Sequence, residues 1–98
     1  MDIDAIEDDQ ELKQVLWACH TYWKSESFPE RDRIICYSWV LRVYESRFHK
    51  KFHQAKLRQL SKLGFLKPEV TSRRGQRRYY VLMEPDRVQI LLEKWGLY

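Results

Sequence analysis

Apolar residues recur at a helical spacing early in the chain. Leu12, Val15, Leu16, Cys19 and Trp23 stand at i, i+3, i+4, i+7 and i+11, one stripe of an amphipathic helix over about residues 10–24. The run "SFPE" follows. Ser27 suits an N-cap, Pro29 a first turn, and Glu30 stands three residues after the serine as in a capping box, so a second helix is predicted over 28–46. Its body, "RIICYSWVLRVYE", is apolar on nearly every side and rich in β-branched and aromatic residues. Periodicity alone cannot separate helix from strand there; length and the cap decide for helix.

The helical period returns over 50–63. Phe52, Ala55 or Lys56, Leu57, Leu60 and Leu63 face one way, while Lys50, Lys51, His53, Gln54, Arg58 and Lys62 lie around the rest of the barrel. Gly64 ends this helix at the C′ position, where a left-handed backbone is cheap. Leu66 to Ser72 and Arg78 to Met83 then predict two strands, with Val70 and "YYVL" as β-formers and Gly75 in the turn, so that a hairpin spans 66–83. Pro85 opens a last helix over 85–95, with Val88, Leu91, Leu92 and Trp95 as its stripe and Gly96 as its stop. The predicted chain is α+β, mostly α: an acidic tail over 1–9 and a single domain over 10–98.

Composition narrows the class. The 98 residues suffice for one small core, and 44% hydrophobic residues with four tryptophans exclude a disordered chain. No run approaches 18 apolar residues and the acidic start lacks the basic flank of a signal peptide, so a cytoplasmic chain without a membrane span is expected. Cys19 and Cys36, in apolar surroundings without CxxC spacing, read as reduced core residues.

Charge is unevenly spread. Residues 1–30 carry net −6, whereas residues 47–78 carry net +10, with eleven bases against Glu69 alone. A block of that size repels itself unless something neutralises it, and it marks a footprint for a polyanion.

Two stretches carry a family resemblance. "LRQLSKLGFL" resembles the end of the recognition helix in winged helix-turn-helix DNA-binding proteins of the MarR, ArsR and PadR type, on the spacing of Leu57, Leu60, Gly64, Phe65 and Leu66. "KPEVTSRRGQRRYYVLM" resembles their wing, a hairpin with a basic, glycine-containing tip before a tyrosine pair. The resemblance covers roughly residues 31–83. It departs upstream, where "ESRFHKKFHQAK" lacks the small-residue and Ser/Thr run usual at the turn. It implies a winged helix-turn-helix with a three-helix core, a two-stranded wing and a C-terminal helix.

In such a fold the 50–63 helix enters the major groove of double-stranded DNA. Gln54 can pair bidentately with adenine and Arg58 with guanine, His53 lies on the same face, and Lys50, Lys51 and Lys62 grip phosphates. The wing arginines Arg73, Arg74, Arg77 and Arg78 would lie on the backbone or in the adjacent minor groove, where Gly75 allows close approach. The function expected is a small transcriptional regulator. The alternative is a winged-helix module that holds a protein or RNA partner, because fold does not fix function.

Other chemistry is poorly supported. His49 and His53, four apart, could bind zinc with Cys36 or Cys19, but no paired cysteines and no HExxH accompany them, and no metal or other cofactor is expected. The serines form no nucleophile elbow and no glycine-rich phosphate loop exists, so no enzyme is expected. One winged-helix unit covers only a few base pairs, which favours a homodimer on paired half-sites. Val88, Leu91, Leu92 and Trp95 are the expected interface, with the competing role of capping the chain's own core.

Overall fold

The computed structural model describes residues 2–25, 34–69 and 79–98. Among the described residues five helices and three strands follow in the order α1 (Ile3–Glu7), α2 (Gln10–Ser25), β1 (Ile34–Cys36), α3 (Tyr37–Phe48), α4 (Ala55–Lys62), β2 (Leu66–Glu69), β3 (Tyr79–Leu82) and α5 (Pro85–Lys94). The chain is therefore α+β and mostly helical, with one small antiparallel sheet ordered β1-β3-β2.

Helix α2 is the hub, packed against α1, α3, α4, α5 and the sheet. Its stripe is buried: Leu12, Val15, Leu16 and Cys19 are enclosed, as are Ala18 and Tyr22 on its flanks. Asp9 starts this helix, its Oδ1 accepting the Leu12 amide at 3.0 Å, the N-cap bond that satisfies an otherwise orphaned donor.

The acidic start is structured in place of the expected tail. Ile3 and Ile6, three apart, share a face of α1; Ile6 is fully buried and Ile3 packs on the core. Asp2 caps this helix by accepting the Ala5 amide at 3.2 Å, and its own amide donates to the Leu63 carbonyl at 2.9 Å. Two isoleucines among the five acids of the first ten residues were enough to dock the segment.

The expected helix over 28–46 is replaced, within the described residues, by a short strand and a helix. Ile34, Ile35 and Cys36 pair with Val81, Tyr80 and Tyr79, so the β-branched pair completes a third strand on the far side of β3. The capping signal of Ser27, Pro29 and Glu30 lies outside the described residues; from Ile34 onward, partner strands distant in sequence set the local structure. Helix α3 then runs to Phe48 and stops at His49, whose φ of 56° is left-handed and whose amide donates to the Glu45 carbonyl at 3.0 Å.

The expected helix over 50–63 begins only at Ala55. Phe52 explains the delay. Its amide donates to Glu45 Oε2 at 3.0 Å, and its ring packs 5.6 Å from Tyr37 and 5.4 Å from Tyr44, so the chain dips into the core before it turns into α4. The helix ends in a Schellman motif: Gly64 has φ of 90°, Phe65 donates to Leu60 at 2.9 Å and Gly64 to Ser61 at 3.1 Å.

Strands β2 and β3 pair with Leu66 opposite Leu82 and Pro68 opposite Tyr80. Leu66, Tyr80 and Leu82 point into the core, as a period of two requires. The hairpin tip, with Arg73, Arg74, Gly75, Arg77 and Arg78, lies outside the described residues. Helix α5 opens with Pro85 at its start and packs on α2. Its Val88, Leu91 and Leu92 are enclosed by the chain itself, and Trp95 is half-buried beside them. They thereby take the competing role of capping the chain's own core, because a core this small uses every apolar helix available.

Candidate nucleic-acid interface

Helix α4 buries Leu57 and Leu60 and turns Arg58, Gln59 and Lys62 outward. Arg58 and Lys62 are one turn apart, so their charged ends share a face. The preceding turn adds Lys50 and Lys51, both exposed. From Lys50 to Lys67 the sequence has six bases and no acid. Four exposed cations on one helix and the turn before it form a surface that attracts phosphate.

Two expected members of the set are placed differently. His53 is 58% exposed, but its Nδ1 lies 2.7 Å from Glu11 Oε2, a hydrogen bond that becomes an ion pair when the ring is protonated. Gln54 is half-buried at the N-cap of α4 with helical φ and ψ, so it begins the helix in place of projecting from its middle. His49 and His53 are not one turn apart on a helix: His49 closes α3 and His53 precedes α4. Among the described residues no three histidine, cysteine or acidic side chains gather at a spacing that could hold a metal ion.

The turn between α3 and α4 is organised by three carboxylates that the sequence reading did not single out. Glu45 takes the Phe52 amide, Glu11 takes His53, and Asp9 Oδ2 lies 3.2 Å from the Lys56 ammonium, with Glu11 Oε1 3.8 Å from the same nitrogen. Partial burial would by itself raise the Asp9 carboxyl, but the Leu12 amide, Lys56 and the Glu11 amide outweigh it and hold the group below the ordinary carboxylate range. Local sequence could have revealed Asp9, an acid three residues before the first stripe residue. The His53 and Lys56 pairs join residues 42 and 47 positions apart and leave no local trace.

Helix α3 contributes two more exposed bases, each laid over aromatic faces. The Arg42 guanidinium is 5.1 Å from the Trp39 ring, and Arg47 is 5.7 Å from Trp17 and 5.3 Å from Phe48. Trp39 is 49% exposed and stacks on Tyr22 at 6.5 Å. Such faces anchor the cations without neutralising them.

On the far side, between α2 and α5, His20 is fully buried. Its Nδ1 lies 2.6 Å from the Tyr98 hydroxyl, which also lies 3.2 Å from Thr21 Oγ1, while Nε2 has no hydrogen-bond partner among the described residues. Burial lowers the His20 pKa and Lys24 lowers it further; Asp86 and the Pro85 carbonyl oppose them. Cys19 is likewise buried, and desolvation pushes its thiol far up, so it is an inert core residue.

No described helix is long and apolar enough to cross a membrane. Comparison with protein-family models, curated proteins and solved structures returns no match to this chain.

Proposed function

We propose that this chain is a winged helix-turn-helix protein that binds double-stranded DNA in a sequence-specific manner and acts as a small transcriptional regulator. The observation that carries the reading is the outward face of α4 and its preceding turn: Lys50, Lys51, Arg58 and Lys62 are exposed, with no acid in the sequence between Lys50 and Lys67. The order of elements supports it. Helix, strand, helix, turn, helix and hairpin, with β3 between β1 and β2, suit a fold in which α3 and α4 form the helix-turn-helix and β2 and β3 the base of a wing.

In this reading α4 lies in the major groove. Arg58 reads a guanine edge, while Lys50, Lys51 and Lys62 contact phosphate together with Arg73, Arg74, Arg77 and Arg78 of the hairpin. Gln54, at the helix start, meets a base only if the groove admits the N-terminal end of α4 first. Two-fold pairing on adjacent half-sites belongs to the same proposal, but its surface is not the enclosed stripe of Val88, Leu91 and Leu92. The exposed Ile90 on the opposite face of α5, at 64%, is the apolar residue that α5 leaves open.

The deciding experiment is duplex binding as a function of salt. About five phosphate contacts give a log–log slope of roughly −4 to −5. A flat response removes the DNA reading and favours a module that holds a protein partner.

A further inference from the structure

The acidic first segment does more than finish the core. It is tied near both ends of α4: the Asp2 amide donates to the Leu63 carbonyl at the C-terminal end, and Asp9 and Glu11 reach Lys56 and His53 at the N-terminal end. Ile6, fully buried between these ties, fixes the segment against the core. Carboxylates are thereby held beside the very helix that carries the exposed cations. Lys56 shows the effect most clearly: its side chain is only 19% exposed, and two carboxylate oxygens lie within 4 Å of its ammonium, at 3.2 and 3.8 Å.

Resting on the DNA-binding reading above, we infer that Asp9 and Glu11 act as an internal competitor for phosphate, which withdraws Lys56 and His53 from the polyanion-binding surface and so limits indiscriminate binding by α4. The physical basis is simple. Non-specific affinity rises with every cation that can displace counterions from a duplex, whereas base reading depends on a few side chains in register. Neutralising two bases from inside the chain lowers the first without touching Arg58. The intramolecular carboxylates are always present at high local concentration, so a phosphate must displace them to recruit either base.

The test uses the full chain with Asp9→Asn and Glu11→Gln together. Asn at position 9 can still accept the Leu12 amide and Gln at position 11 can still accept from His53, so shape and caps survive while two charges are lost. Binding to a duplex of unrelated sequence is measured across salt for both proteins. The variant is expected to bind more tightly at low salt with a steeper slope. With one or two contacts recovered, its advantage shrinks by about 3- to 12-fold between about 50 mM and about 200 mM salt. Adding Lys56→Gln and His53→Gln to the variant should abolish the gain. A salt-dependent wild type with an identical slope in the variant overturns the inference alone; absence of salt-dependent binding in both overturns it together with the DNA reading. A second measurement does not depend on the variant's folding: Lys56→Gln in the wild type should leave the slope unchanged, and a slope flatter by about 0.9 places Lys56 on phosphate and overturns the inference.

Discussion

Helices α4 and α5 are built alike on the inside and differently on the outside. Each buries leucines on its inner stripe, Leu57 and Leu60 in one and Leu91 and Leu92 in the other. Each ends in a Schellman motif around a glycine of positive φ, with Leu97 donating to Leu92 at 2.9 Å as Phe65 does to Leu60. Their outer faces diverge. On α5, Asp86, Arg87, Glu93 and Lys94 mix both signs, and Arg87 lies 3.7 Å from Glu84. On α4 every charged residue is a base. Balanced signs make a solvated face; the exposed Arg58 and Lys62 leave a positive field on α4 that attracts a polyanion. The apolar stripe places a helix on the core, and the charge pattern opposite it is what distinguishes α4 from α5.

The inner faces should respond alike. Leu60→Ala and Leu92→Ala, each at a fully buried position, should each destabilise by about 2 to 5 kcal/mol in urea unfolding. A marked loss for Leu60 with none for Leu92 would show that α5 packs loosely and would reopen its stripe to a partner.

The outer faces should not. Replacing Lys51 and Lys62, exposed bases of α4 and its preceding turn, by Ala should flatten the salt slope of duplex binding by roughly 1.8, two phosphate contacts at about 0.9 each. Replacing Arg87 and Lys94 by Ala should leave it as it was. Equal effects from the two pairs would mean that net charge alone, and not the face of α4, drives binding.

The helix ends give a smaller effect. Gly64→Ala and Gly96→Ala force a Cβ into left-handed backbone at φ of 90° and 76°, which should cost about 1 kcal/mol each in thermal unfolding. Nothing lies within 4 Å of a Cβ at Gly96, so the penalty there is conformational alone.

The smallest expected effect is a pH dependence confined to the α2–α5 side. His20 is buried and its pKa is lowered, so the folded chain favours the neutral ring. Stability is complete above the ordinary histidine range, near about pH 6.5, and falls as pH drops below it, by at most about 1.4 kcal/mol per pH unit for one group. Lys24 on the same helix, Asp86 on α5 and the Tyr98 hydroxyl are the groups that face the ring. Urea midpoints for wild type and His20→Phe at pH 7 and pH 5.5 check this. A decline that survives the substitution would assign it to a group other than His20; Asp9, held below the ordinary carboxylate range, stays ionised across this window and loses its stabilising charge only in stronger acid.

Much of this molecule is legible along the chain. The stripe of Leu12, Val15, Leu16 and Cys19, the stripe of Leu57 and Leu60, Pro85 at a helix start and Gly64 and Gly96 at helix ends are all local signals, because a helix is set by residues within four positions of one another. The exposure of Arg58 and Lys62 follows from the same period. Features whose partners are remote in sequence were settled instead by the assembled fold. Ile34–Cys36 is a strand because β3, more than forty residues on, offers an unpaired edge. Phe52 leaves its helical register because Tyr37 and Tyr44 form a slot for its ring. The acidic start is docked because Leu63, Lys56 and His53 converge where Asp2, Asp9 and Glu11 can meet them. Those contacts form only once the chain has closed long loops, and their energy enters no local propensity.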